Sequence, residues 1–287
     1  MRKLSIRVGV ISVKKLVKNI GVYSFLSIAA FVSLFPFYWI VISATNRSID
    51  VTRGRMLPGT YLVENFRNLM ASTDFWGAFL NSLQISVLTT TFALAIASAA
   101  GYGFEIYRTR AKDMLFNILL VSMMIPFAAL MIPLFRMFAR ITGLFPAFGI
   151  DTIPSVILPS FATAFLIFFF RQSTKMFEKE IIEAARIDGL SEFWIFIRIY
   201  MPTMKTTYVA ATIITFMASW NAFLWPLVIL QSEANRTLPL LISILGSSYS
   251  PDFGVILLAI AMATAPMAVL FFALQRHFVA GMMGSIK

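Results

Sequence analysis

Long apolar stretches alternate with short charged segments along this chain. Six stretches contain no Asp, Glu, Lys or Arg: 19–46, 75–104, 114–135, 152–170, 206–232 and 253–275. Each reaches the roughly 20 residues that a helix needs to cross a hydrocarbon core. The pattern predicts an all-α polytopic membrane protein with six transmembrane helices. A further apolar run, 238–245, is too short to cross and reads as an interfacial or re-entrant helix. The expected organisation is a basic arm at 1–18, a first transmembrane helix at 19–46 and an extracytoplasmic loop at 47–74. A core at 75–287 then holds the other five helices and a long loop at 171–205.

Composition sharpens this picture. The 287 residues are 59% hydrophobic and 13% charged, against about 25% charged in a typical soluble chain. With no cysteine and a single histidine, His277, a Cys/His zinc site, an iron–sulfur or haem centre, a thiol nucleophile and a disulfide scaffold are not expected. No metal site and no catalytic residue is expected. An even number of spans places both termini on one side. Seventeen of the 24 Lys and Arg lie in the 1–18 arm, the loop between the second and third spans, the 171–205 loop and the tail. Acids divide 7 to 6 between the two sides, so the bias belongs to the basic residues and predicts cytoplasmic termini, N-in and C-in. That asymmetry also accounts for the net charge of +11, and no nucleic-acid partner is expected. The first stretch is longer than a cleavable signal core and lacks a small-x-small site, so it reads as an uncleaved anchor.

Ion-coupled carriers place ionisable groups inside the membrane. All charged side chains fall outside the six stretches, so the energy for any transport is expected from another polypeptide. Seven prolines (Pro36, Pro126, Pro133, Pro154, Pro159, Pro226 and Pro266) lie within the stretches, as hinges or as routine kinks. Polar residues gather on the second span, Asn81, Ser82, Gln84 and Ser86 among them, and on the fifth at Ser219, Trp220 and Asn221. In lipid they must face protein or water, as helix contacts or as a pathway lining.

The 171–205 loop is much longer than an ordinary connection and carries six basic and five acidic residues. It reads as two short helices. One spans 178–188 and stops at Asp188-Gly189. The next is capped by Ser191, with Glu192 in its first turn, and runs to Pro202. Ala185 and Gly189, four apart, leave one side of this hairpin almost without bulk, and Glu183 offers an anionic handle beside it. Either that side docks another chain, or Glu183 pairs on its own helix with Lys179 or Arg186.

The run Glu183-Ala184-Ala185-Arg186-Ile187-Asp188-Gly189, with Ile199 and Pro202 following at the family's spacing, resembles the EAA loop of binding-protein-dependent ABC-importer permeases. Met201 stands where the pattern has leucine, a volume-conserving change. Phe79-Leu80-Asn81-Ser82-Leu83, Met124-Ile125-Pro126, Met131-Ile132-Pro133, Ile157-Leu158-Pro159 and Ser219-Trp220-Asn221-Ala222-Phe223-Leu224-Trp225-Pro226 are similar to the maltose-type carbohydrate permeases. The six spans and the tail Phe278-Val279-Ala280-Gly281-Met282-Met283 resemble the shorter, MalG-like subunit.

The resemblance implies an ABC type I importer permease fold. It also implies a second permease completing a heterodimer, two cytoplasmic ATP-binding subunits and an extracytoplasmic solute-binding protein, working together in the lipid bilayer on a sugar or oligosaccharide. Glu183, Ala184, Ala185 and Gly189 would form the surface that docks on the ATPase, with Asp188, Ile199 and Pro202 holding its shape. No G-x-x-x-x-G-K-[ST] pattern is present, so no cofactor is expected in this chain, and ATP and Mg belong to the partner subunits. The 45–74 and 233–252 segments are candidate contacts for the binding protein, and the 281–287 tail for the ATPase. Trp220, Asn221 and Trp225, with Asn81 and Gln84, are candidate pathway residues, for which packing is the competing role. His277 reads as an interfacial anchor. The rival functions are a stand-alone secondary transporter or channel, an intramembrane enzyme, and an ABC permease for a non-sugar solute.

Overall fold

The computed structural model describes the backbone of residues 13–284 and the side chains of 19–275. The basic side chains of the 1–18 arm, His277 and the side chains of the 281–287 tail fall outside that description. Among the described residues every regular element is helical. In chain order the α-helices are α1 Val13–Ser43, α2 Ser48–Thr52, α3 Leu62–Ser72, α4 Phe75–Ile106 and α5 Arg110–Ser122. Next come α6 Phe127–Leu144, α7 Ile153–Ile157, α8 Ala164–Thr174, α9 Lys179–Ile187, α10 Glu192–Ile195 and α11 Met201–Thr203. The chain closes with α12 Lys205–Trp220, α13 Leu224–Ile229, α14 Leu238–Gly246 and α15 Phe253–Gly284. Five segments are long and apolar enough to cross a membrane, and the bent α7/α8 pair makes a sixth.

Three of the expected spans are broken, and each has a proline at or near its break. The 114–135 stretch is not one helix: α5 ends at Ser122 and α6 starts only at Phe127. Pro126 has no N–H to donate and pushes its predecessor out of the helical region, and it caps α6 in an extended conformation instead. From there α6 runs through Arg136 and Arg140 to Leu144, well past the boundary that charge alone suggested. The fourth span is α7, a 3₁₀ turn at Leu158–Ser160, and α8, bent by 42°. In the fifth, Pro226 stands in the first turn of α13, where its missing N–H costs nothing, and the chain breaks between Trp220 and Leu224. The short apolar run at 238–245 does form a helix, α14.

The chain divides into two units, 1–67 with 252–261 and 68–251 with 262–287. In the first, the end of α1 is closed by asparagine side chains. Asn46 Nδ2 donates to Ile42 O at 2.9 Å and to Leu57 O at 3.0 Å. Asn65 Nδ2 donates to Ala44 O and Asn46 O, both at 2.9 Å. These amides satisfy carbonyls that a helix end leaves open. Gly254 lies so close that a Cβ there would stand 2.5 Å from Asn46 O.

In the second unit α4 is the central rod, packed along α8 and α12. Ala93, Ala97, Leu166, Ile167, Phe170 and Ala211 are buried at the junction of these three helices, and their alanines allow close approach. The approach is tightest at Gly101, where a Cβ would meet Phe170 Cβ at 2.7 Å and the backbone nitrogen of Arg171 at 2.8 Å. A Cβ on Gly103, on the same helix, would meet nothing within 4 Å. Gly101→Leu is therefore expected to cost about 1–3 kcal/mol through overpacking. Gly103→Ala is expected to be neutral or stabilising by up to about 1 kcal/mol. Thermal unfolding of the two purified variants in detergent measures the difference, and equal melting temperatures would contradict the tight junction.

Candidate functional site: the helical hairpin and the end of α4

The 171–205 loop folds as the sequence suggests, into a helical hairpin. Glu178 and Asp188 flank α9, and Gly189 adopts φ +81°, a left-handed conformation open to glycine. Its N–H donates to Arg186 O at 3.0 Å, and Leu190 N–H donates to Ala185 O at 3.1 Å. This pair of bonds closes the helix C-terminus in a Schellman-type turn. Ser191 then precedes α10. The second limb is less regular than expected. A π turn at Phe196–Tyr200 interrupts it before α11, which contains Pro202.

An aromatic cluster holds the hairpin together. Phe177, Ile182, Ala185, Ile195 and Tyr200 are buried with Tyr102 of α4, and Ile199 and Met201 pack against them. The Tyr102 ring lies 5.3 Å from Phe196 and 4.9 Å from Tyr200. Tyr200 shares a 2.6 Å hydrogen bond with Thr174. This placement corrects one expectation: Ala185 is 5% exposed and turns into the hairpin rather than onto a docking face. Its small side chain is what lets α9 lie against α10. The exposed face instead carries Glu183, Ala184, Asp188 and Gly189, with Ile187 and Met176 both 86% exposed. Pro202 is exposed as well.

Both cations that could hold Glu183 on its own helix are engaged elsewhere. Arg186 Nε donates to Glu192 Oε1 at 2.6 Å, across the turn of the hairpin. Lys179 Nζ reaches Glu105 Oε1 of α4 at 3.2 Å. Among the described residues no ion pair involves Glu183, so its carboxylate is free to meet a cation of another chain. The Arg186 guanidinium holds the Glu192 carboxyl below its ordinary value, against the opposing effect of burial.

Sequence reasoning missed a second feature, an ionic network where α4, α5, α8 and α9 converge. Glu105 and Arg171 are each 4% exposed. Arg171 Nε stands 3.5 Å from Glu105 Oε2, and its Nη2 donates to Asp113 of α5. Its guanidinium lies 4.0 Å over the Phe116 ring, and Arg108 bonds the other oxygen of Asp113 at 3.0 Å. Glu105 follows the second apolar stretch by one residue, and Arg171 immediately follows the fourth. Their positions at two span ends were the available signal. Reading charges only as the limits of spans concealed that these two meet.

The expected pathway residues do not form one surface. Trp220 is 3% exposed, and its indole N–H donates to Ala263 O at 3.1 Å. Trp225 is buried, with its N–H donating to Ser155 O at 3.0 Å. Both indoles are thus spent on packing and interhelical hydrogen bonds, the competing role, rather than on a pathway lining. Asn81 is likewise a structural tie, donating to Ala234 O at 2.7 Å and Arg236 O at 3.0 Å. Asn221 is exposed and bonds Met217 O at 2.9 Å at the end of α12, and Gln84 is exposed on α4. Beyond the expected set, Asp151 (φ 61°) accepts from the backbone N–H groups of Gln231 and Ser232 at 2.9 and 3.1 Å. Burial opposes ionisation of this carboxyl, but the two donors prevail and lower its pKa.

The hairpin geometry yields two measurable consequences. Ala185→Leu should open the hairpin and Ala184→Leu should not, because only the first adds bulk inside the aromatic cluster; hydrogen exchange over α9 and α10 reads the difference. The same exchange should report the Arg186–Glu192 pair. The folded pKa of Glu192 is lowered, so the pair's stabilisation is complete above the ordinary carboxylate range and is lost as pH falls through the lowered value. Both groups are partly exposed, which limits the effect to about 0.2–1 kcal/mol. Glu192→Gln should remove the acid-dependent loss, and an unchanged pH profile in that variant would assign it to another carboxylate.

The fold has known counterparts. A solved structure of a bacterial ABC transporter involved in the import of the acidic polysaccharide alginate contains a chain that matches with a TM-score of 0.77 at 22% identity. The match covers 96% of this chain and 100% of that one. The lactose transport system permease protein LacG of Rhizobium radiobacter is 43% identical over 276 residues, covering 96% of this chain and 99% of the relative. The arabinooligosaccharides transport system permease protein AraQ of Halalkalibacterium halodurans is 33% identical over 264 residues, covering 90% and 92%. Residues 93–284, which include the whole hairpin, match the family of binding-protein-dependent transport system inner membrane components. This chain is a multi-pass membrane permease and belongs to that family.

Proposed function

We propose that the chain is one of two permease subunits of an ATP-driven importer for a sugar or oligosaccharide. The cargo reading draws on two relatives named for lactose and arabinooligosaccharides, the first of which aligns along nearly the whole chain. The basic residues of the 1–18 arm, the 105–113 loop and the hairpin favour a topology with both termini and the hairpin in the cytoplasm.

The observation that carries the coupling role is the state of the hairpin. It presents a carboxylate, Glu183, with no ion partner among the described residues, and it also exposes the apolar side chains of Ile187 and Met176. An exposed, unpaired acid on a surface that also exposes apolar side chains suits a groove with a basic residue at its centre. The groove belongs to a cytoplasmic ATPase subunit. One ATPase per permease gives two, and ATP with Mg is held there, so this chain itself performs no catalysis. An extracytoplasmic binding protein delivers the solute, and nucleotide-driven closure of the ATPases moves the hairpins. Gln84 and Asn221 are the exposed polar groups of the expected set available to a pathway, and the second permease supplies its other wall.

Glu183→Lys should abolish ATP hydrolysis stimulated by loaded binding protein in the reconstituted assembly. Membrane insertion should be intact, because the side chain makes no internal ion pair. Fully coupled hydrolysis in that variant would remove Glu183 from the docking contact.

A further inference from the structure

The hairpin is joined to the bundle by its two chain connections, by the buried Thr174–Tyr200 hydrogen bond to α8 and by a set of contacts with α4. Toward α8 the connection is a series of turns, in which Lys175, Met176 and Phe177 donate back to Arg171, Ser173 and Thr174. Toward α12 it passes through a π turn and Met204, whose ψ of 18° leaves the helical region. The contacts with α4 are non-covalent and come from both limbs of the hairpin. Lys179, in the first turn of α9, reaches Glu105 at 3.2 Å. From the other limb, Phe196 and Tyr200 pack on Tyr102, whose hydroxyl donates to Glu192 Oε2 at 3.4 Å.

The helix gripped in this way is suited to carry displacement. α4 is continuous over 32 residues and has no proline in its sequence, unlike the broken segments around it. At its other end it holds a different loop. Asn81 donates to Ala234 O and Arg236 O, and Ser82 Oγ accepts from Leu238 N–H at 2.7 Å, at the entry to α14. The 24 residues from Asn81 to Glu105 correspond to about 36 Å of helix, roughly a hydrocarbon thickness.

We propose that α4 is a transmission rod between the two faces of the membrane, with Glu105 as the positioning residue at its driven end and Asn81 as the tie at its working end. Hairpin displacement pulls on Glu105 through Lys179, and α4 shifts as a unit. The 234–238 segment follows, so α14 moves in step with the hairpin. A single charge in low dielectric suits this task, because sliding Glu105 away from Lys179 and Arg171 would leave charges unpaired. The inference rests on the coupling role of the hairpin proposed above.

The experiment reconstitutes the complete transporter in lipid vesicles with its binding protein and follows three quantities: co-purification of the ATPase, ATP hydrolysis, and solute imported per ATP. Glu105→Gln and Lys179→Met should leave co-purification at the wild-type level and lower solute per ATP by about tenfold. Asn81→Leu, remote from the hairpin, should show the same uncoupling. The Glu105→Gln/Lys179→Met double variant should be no worse than Glu105→Gln alone, because Lys179 acts through Glu105. Wild-type stoichiometry in Lys179→Met and Asn81→Leu overturns the rod. If Glu105→Gln fails to assemble, those two variants decide the question, since Lys179 is half exposed and Asn81 lies outside the ionic network. A wild-type assembly that retains no ATPase defeats the importer reading itself, a result distinguishable from failure of the rod.

Discussion

Arg171 is a buried cation at the end of a membrane-spanning segment, and the arrangement of the helix ends around it follows from that. A guanidinium stripped of water must be met by anions and by a polarisable face. The chain meets it with Glu105 of α4, Asp113 of α5 and the Phe116 ring. Glu105 fixes the end of α4 relative to α8, and Asp113 with Phe116 fixes the start of α5. Because Glu105 has a second oxygen to satisfy, the network extends to Lys179 and so to the first turn of the hairpin. Truncating one member of such a buried pair costs about 3–5 kcal/mol, so the junction resists rearrangement and moves as one piece. The close backbone approach at Gly101, one turn before Glu105, stiffens it further.

The membrane explains why helix breaks elsewhere are so carefully tied. A backbone group without a partner in hydrocarbon costs several kcal/mol, and proline creates such groups wherever it interrupts a span. The gap between α12 and α13 is bordered by Trp220 and Trp225, and both indole N–H groups are given to backbone carbonyls of other segments, Ala263 and Ser155. Asp151 does related work for the chain leaving α13, where its carboxylate takes two consecutive N–H groups. The aromatic-rich motif around Trp220 thus serves the architecture first. Any solute is met by what remains exposed.

The hydrophobic pattern made much of the fold legible. Stretches 19–46, 75–104 and 253–275 correspond to single long helices, and the hairpin limits at 178–188 fall within a residue of α9. Charge as a boundary marker failed at α6, because Arg136 and Arg140 continue a helix that the rule had ended. Composition cannot say whether a proline bends a helix or breaks it, and here Pro126 and Pro226 stand at breaks. In the hairpin, the sequence supplied the small residues but not their facing. Ala184 and Ala185 are chemically identical, and only the aromatic cluster beneath α9 decides that the second is the buried one. The Glu105–Arg171 contact, 66 residues apart in sequence, was out of reach of any local pattern.

These constraints bear on how a hairpin of modest size can act on a membrane bundle. Its aromatic cluster includes a residue of α4, so the hairpin cannot shift freely without dragging Tyr102 or exposing apolar surface to water. Its covalent exits are a series of turns after α8 and a π segment whose Tyr200 is itself anchored in the cluster and hydrogen-bonded to Thr174. Here side chains of both hairpin limbs are tied to α4, which is not a sequence neighbour of the hairpin, through the Lys179–Glu105 pair and the cluster around Tyr102.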